Sequence, residues 1–163
     1  MQSEKSQKVQ EFMSVIQDRS LQEKKYLQHI PDKPIIPHKD VRELRAALIY
    51  EEAIEAIKAM GVSIYPKEEK SITDLKMSDL EFEADKDCNI IEVADGLADS
   101  EVVVLGTYLT FGLLNDSEIF SEIHRSNMSK FPLGYNGMRP DGKWVKPDNF
   151  NEPDLKPIVI LED

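Results

Sequence analysis

Apolar residues recur at Val9, Phe12, Met13 and Ile16, the spacing that predicts an amphipathic helix near the start of the chain. A connector holding Pro31, Pro34 and Pro37 follows; it cannot be helical throughout and is expected to lie extended over the surface. Asp40 with Glu43 three residues on reads as a capping box opening a second helix, Val41 to Met60, and Gly61 is its expected stop. From Pro66 to Asp87 the chain is highly charged and weakly periodic. There Lys67-Glu68-Glu69-Lys70 predicts a solvated loop and Leu75 to Phe82 a short helix. A long helical pattern then runs from about Asn89 to Gly112. Asp116 or Ser117 is placed to cap a further helix carrying Ile119, Phe120 and Ile123. Beyond Lys130, proline and glycine dominate; Pro140-Asp141-Gly142 signals a turn, and Leu155 to Leu161 is expected to dock as a short helix or strand. No internal repeat or low-complexity tract interrupts this order. The pattern predicts an all-α protein with an irregular Pro/Gly-rich C-terminal segment.

Two helices break the usual separation of apolar and charged faces. At about 100° per residue, Glu51, Glu52 and Glu55 fall on the same side as Leu44 and Leu48 and continue an apolar stripe. On the long helix Glu92, Asp95 and Asp99 share one face, Glu101 points elsewhere, and past Asp99 the acidic stripe becomes apolar or small through Val102, Val103 and Gly106. A single acidic stripe is ordinarily a solvated face. Like charges three and four residues apart destabilise an isolated helix, however, and carboxylates against apolar neighbours need a counter-charge. Lys58 could supply part of it. A hard divalent cation, which takes carboxylate oxygens and shares its remaining positions with phosphates, would supply more.

Composition narrows the choice. One domain accounts for 163 residues, and the formal charge of −11 argues against a nucleic-acid partner and against an anionic membrane surface. The single cysteine, Cys88, rules out an internal disulfide framework and suits a reducing compartment. No signal-like apolar core opens the chain, and Val102 to Leu114 is too short to span a bilayer, so a cytoplasmic location is expected.

Other carboxylate schemes fail on residues. Neither stripe has the Glu-x-x-His of di-iron bundles. Asp85, Asp87 and Asn89 imitate an EF-hand opening, but Ile90 and Gly96 stand where glycine and glutamate are required. A basic cluster does fit: His124, Arg125, Asn127 and Lys130 lie within seven residues, and Lys143 and Lys146 follow the turn. Such residues suit phosphate oxygens, although Arg125 and Lys130 would also complement a helix C-terminus. No Walker-type loop is present.

Together Glu51-Glu52-x-x-Glu55 and Glu92-x-x-Asp95 resemble the EExxE…ExxD signature of the all-α nucleoside triphosphate pyrophosphohydrolases. Ala94-Asp95-Gly96-Leu97-Ala98-Asp99 with Gly106, then Glu122 to Lys130, Asp141-Gly142-Lys143, Lys146-Pro147 and Pro153-Asp154-Leu155, resemble the MazG-like, phosphoribosyl-ATP-pyrophosphohydrolase-like branch. The resemblance covers most of the chain, about Phe12 to Leu161. It implies one domain over 1–163 with a charged insert at 66–87 and an extension at 130–163. It implies a helical bundle completed by dimerisation (a homodimer or a dimer of dimers), a view that the abundance of apolar helix surface also favours. It further implies Mg²⁺, with Mn²⁺ as a substitute, held between the acidic helices, and hydrolysis of a (d)NTP to (d)NMP and pyrophosphate. Carried over, Glu51, Glu52 and Glu55 are catalytic, and these with Glu92, Asp95 and Asp99 are the metal-ligand candidates. Glu51 would bind a further metal or orient the attacking water. Arg125, Asn127, Lys130, Lys143 and Lys146 would contact phosphates.

This chain departs from the family pattern in two places. The stretch between the acidic motifs is longer than usual, and the second motif has two registers, Glu92/Asp95 or Asp95/Asp99. The alternatives are the phosphoribosyl-ATP pyrophosphohydrolase of histidine biosynthesis and a non-catalytic helical dimerisation module.

Overall fold

A computed structural model describes residues 1–22, 29–67, 71–134, 136–138 and 145–159. The described residues are mostly helical: α1 (Glu4–Gln22), α2 (Lys39–Ala59), α3 (Ile90–Thr110) and α4 (Asp116–Met128). One small sheet, β1 (Val62–Pro66) with β2 (Leu80–Ala84), qualifies the all-α expectation. The chain forms two compact units, one from Met1–Pro37 with Tyr108–Asp163 and one from His38–Thr107.

The first unit centres on Val9 and Met13 of α1, Leu109 near the end of α3 and Ile119 of α4, all buried. Phe12 and Ile16, expected on the same apolar face, are exposed. The 3.6-residue period puts Phe12 and Ile16 on a flank of the stripe that Val9 and Met13 bury. The Pro-rich connector is non-helical, as expected, but Pro31 and Pro37 are buried. Its Ile35 amide donates to the Phe111 carbonyl, and Gly112, at φ +69°, lies against the Lys33 backbone where a Cβ would collide with the carbonyl oxygen. At α4 the N-cap is Asn115, not Asp116 or Ser117. Asp116 is instead buried in the first turn, its carboxylate accepting the Ser3 amide at 3.0 Å. Leu155 to Val159 makes turns and, as far as it is described, neither helix nor strand. The Pro140-Asp141-Gly142 turn and Lys143 lie outside the described residues.

The second unit pairs α2 with α3 and carries the sheet. Helix α2 starts two residues earlier than the capping box implied: His38 is its N-cap and accepts the Asp40 amide through Nδ1, leaving Asp40 in the first turn beside the positive end of the helix dipole. Gly61 does end the helix, at φ +73°, with its amide on the Lys58 carbonyl. The stretch expected to hold a short helix over Leu75–Phe82 is instead 3₁₀ turns at Ile72–Asp74 and Met77–Asp79 leading into β2. Leu80-Glu81-Phe82-Glu83 alternates with period two, as does Val62-Ser63-Ile64-Tyr65, and the two segments pair antiparallel with Ile64 opposite Phe82. The hairpin base is closed by the Lys86 amide on the Gly61 carbonyl and the Asn89 amide on the Ala59 carbonyl. The charged insert is therefore a hairpin, with Glu68, Glu69 and Lys70 outside the described residues.

Candidate functional site: an acidic seam between two helices

Contacts between α2 and α3 descend in register. Arg45 meets Val103 and Thr107, Ala56 meets Gly96, and Ala59 meets Asn89 just ahead of α3, so the two helices run antiparallel. At Gly96 they come as close as backbones allow. A Cβ there would sit 3.0 Å from the Ala56 Cα and 3.1 Å from its nitrogen. Gly96, which in one register occupies a glutamate position, is thus the residue that lets the helices touch.

This close approach sets the electrostatics of the acids beside it. Glu52 lies one turn before Ala56 and is half-buried. Its carboxyl is held above the ordinary glutamate range, first by dehydration in the seam, then by the negative charges of Asp99, Glu55, Glu51 and Asp95 in that order. Two of those four charges belong to the facing helix. The structure therefore brings Glu51, Glu52, Glu55, Asp95 and Asp99 into one field. Glu92 is exposed and is not among the charges raising Glu52. The seam favours pairing Glu52 with Asp99 over a pairing built on Glu92.

The acids are opposed without having converged. Among the described residues, no three His, Cys, Asp or Glu side chains are gathered closely enough, as they stand, to hold a metal ion. The donors nevertheless fit a hard divalent cation chemically, since all are carboxylate oxygens on rigid helices and mutual repulsion keeps them from any purely internal satisfaction. Glutamate side chains can swing to converge, at the cost of ordering about 1.5–2 kcal/mol of rotamer freedom each.

The basic candidates lie in the other unit. Arg125 is engaged in a bidentate pair with Glu122, both contacts 2.7 Å, and also donates to the Glu152 carbonyl. Glu122 accepts the Asp154 amide as well, and with the Arg125 guanidinium beside it the carboxyl falls to about 2. These bonds, with Ser129 Oγ accepting the Asn151 amide, clasp the segment around 151–154 along α4. The Glu122–Arg125 clasp was not read from the sequence, although their three-residue spacing was its signal. Lys130 donates to Asn127 Oδ1, and the Lys130 and Lys146 ammonium groups lie 5.8 and 4.2 Å from the centroid of the Phe150 ring. Both ring contacts are cation–π in type. Lys146 is also 3.8 Å from Glu152.

No protein-family model and no curated protein matches this chain.

Proposed function

We propose that the chain is a divalent-metal-dependent nucleoside triphosphate pyrophosphohydrolase that converts a (d)NTP to (d)NMP and pyrophosphate. The observation that carries this reading is the opposition of Glu52 to Asp99 and Asp95 across the α2–α3 seam, where like charges are held together on rigid elements. Repelling carboxylates, with Glu52 half-buried among exposed Glu51, Glu55, Asp95 and Asp99, suit a cation, and a cation so held would retain positions for phosphate oxygens. Glu52, Glu55, Asp95 and Asp99 would hold Mg²⁺ or Mn²⁺, with Glu51 at the edge and Glu92 a turn away. Bound there, the ion would polarise the phosphate and lower the pKa of water. Glu51, at the edge of that set, would bind a further ion or orient the attacking water. By the resemblance, Asn127, Lys130, Lys143 and Lys146 would contact the phosphates, with Arg125, which clasps the segment after Lys146 through the Glu152 carbonyl, as a further candidate. In this reading two copies complete the helical bundle.

Incubation with a panel of dUTP, dCTP, other triphosphates and phosphoribosyl-ATP, with Mg²⁺ and product identification, tests the proposal. Monophosphate and pyrophosphate are the expected products. Glu52→Gln or Glu55→Gln should lower the rate roughly 100-fold or more with helical content intact. Absence of turnover on every substrate would leave a non-catalytic helical module as the reading.

A further inference from the structure

Arg45 is a charged residue that the proposed chemistry does not use, yet it is only 5% exposed. It stands seven residues before Glu52, about 10 Å or two turns along the same face of α2. Its Nε donates to Thr107 Oγ1 at 3.1 Å and its Nη2 donates to the Val103 carbonyl, both on α3. Thr107 Oγ1 in turn donates to that same carbonyl at 2.8 Å, so the three groups form a closed arrangement. Val103 lies one turn beyond Asp99. The order along the seam is therefore the Gly96–Ala56 contact, then Glu52 and Asp99, then the bonds from Arg45 of α2 to Val103 and Thr107 of α3.

We propose that Arg45 is a positioning residue: it ties α2 to α3 on the far side of the acids from Gly96, so that Glu52 and Asp99 stay opposed although their charges push the helices apart. This inference rests on the reading of the acids as a cation site. Repulsion between Glu52 and Asp99 acts to open the seam, and a contact on one side alone leaves a hinge. Two contacts, one of close backbone packing and one of charged hydrogen bonds, leave none. An apolar residue at position 45 could fill the volume but could not grip the Val103 carbonyl. Burying a guanidinium is costly, and burial lowers the Arg45 pKa, yet the group remains protonated at any physiological pH.

The test compares wild type with Arg45→Met, Arg45→Lys, Thr107→Val and, as a control, Met13→Ala, which weakens the core of the other unit from α1. Mn²⁺ affinity is measured by electron paramagnetic resonance without nucleotide, and amide hydrogen exchange over Asp99–Thr107 is measured without metal. Arg45→Met should weaken Mn²⁺ binding about 10- to 100-fold, the range seen when groups that orient metal ligands are removed. It should also speed exchange over that segment. Arg45→Lys should recover most of both, Thr107→Val should move both in the same direction by less, and Met13→Ala should move neither. Unchanged exchange in Arg45→Met overturns the tether, as does a Met13→Ala loss of Mn²⁺ affinity as large as that of Arg45→Met. If Arg45→Met does not fold, wild-type behaviour of Thr107→Val in both measurements overturns it. A wild type that takes up no Mn²⁺ defeats the metal reading, and the exchange arm alone then decides the tether.

Discussion

The Glu52 carboxyl gives up its proton less readily than an ordinary glutamate, because the seam dehydrates it and because four other carboxylates, two on its own helix and two on α3, act on it. Between the ordinary value and the raised folded value, the folded state holds more proton than the unfolded one. Stability therefore falls as pH rises through that window. Glu52→Gln should remove this slope, leaving the metal-free protein at neutral pH at least as stable as wild type in thermal melts. Added Mn²⁺ should raise the melting temperature of wild type and not of the variant. Glu122 has the opposite sign. Its folded-state value of about 2, against an ordinary 4.5, contributes stability that is complete above 4.5 and lost as pH falls towards 2. Glu122→Gln should flatten acid unfolding in that interval, measured by circular dichroism against pH. Arg125, read from sequence as a phosphate contact, is the residue whose local surroundings the sequence did not disclose. The spacing to Glu122 was visible, but the Glu152 carbonyl and Asp154 amide that complete its setting are 27 and 32 residues away from their partners on α4.

At the scale of elements, α2 is legible from its run of helix formers between a capping signal and Gly61, and α3 from its helical period, each with an acidic stripe in line with apolar residues. What makes them a pair was not legible. Gly96 looked like a vacancy in the motif, and its role as the contact point emerges only when Ala56 is opposite. Gly96→Ala should force the helices apart, costing about 1–3 kcal/mol in denaturant unfolding and weakening Mn²⁺ uptake in parallel. The β1–β2 hairpin was missed because its strands are five residues each and are separated by a charged, irregular stretch. The two-residue alternation was present, but too short to outweigh the surrounding charge. Gly61 was read correctly as the end of α2, and the hairpin adds a second demand on it. With φ +73° and the Lys86 carbonyl oxygen 2.2 Å from where a Cβ would be, Gly61→Ala should cost at least the roughly 1–2 kcal/mol of a left-handed non-glycine residue.

Across the whole molecule, large apolar side chains remain uncovered on several helices. Phe12 is 55% exposed, Phe120 71%, and Ile90 and Ile91 70% and 76%. A chain with so much apolar helix surface fits the proposed assembly from two copies better than an isolated monomer. Light scattering coupled to size exclusion should give twice or four times the chain mass, and a monomer at micromolar concentration would remove the dimeric part of the proposal. No helix among the described residues is long and apolar enough to cross a membrane. The net charge of −11 adds a further expectation, that divalent-ion uptake weakens with rising salt less steeply at the dehydrated seam than at the outer surface.

Calorimetric titration of Mn²⁺, alone and with a non-hydrolysable triphosphate analogue, into wild type and the Asp99→Asn variant addresses the central claim most directly. Saturable uptake by wild type that tightens with the analogue and collapses in Asp99→Asn, with helical content unchanged, is the predicted result. Wild type that takes up no ion even with the analogue, or Asp99→Asn that binds as wild type does, would contradict it.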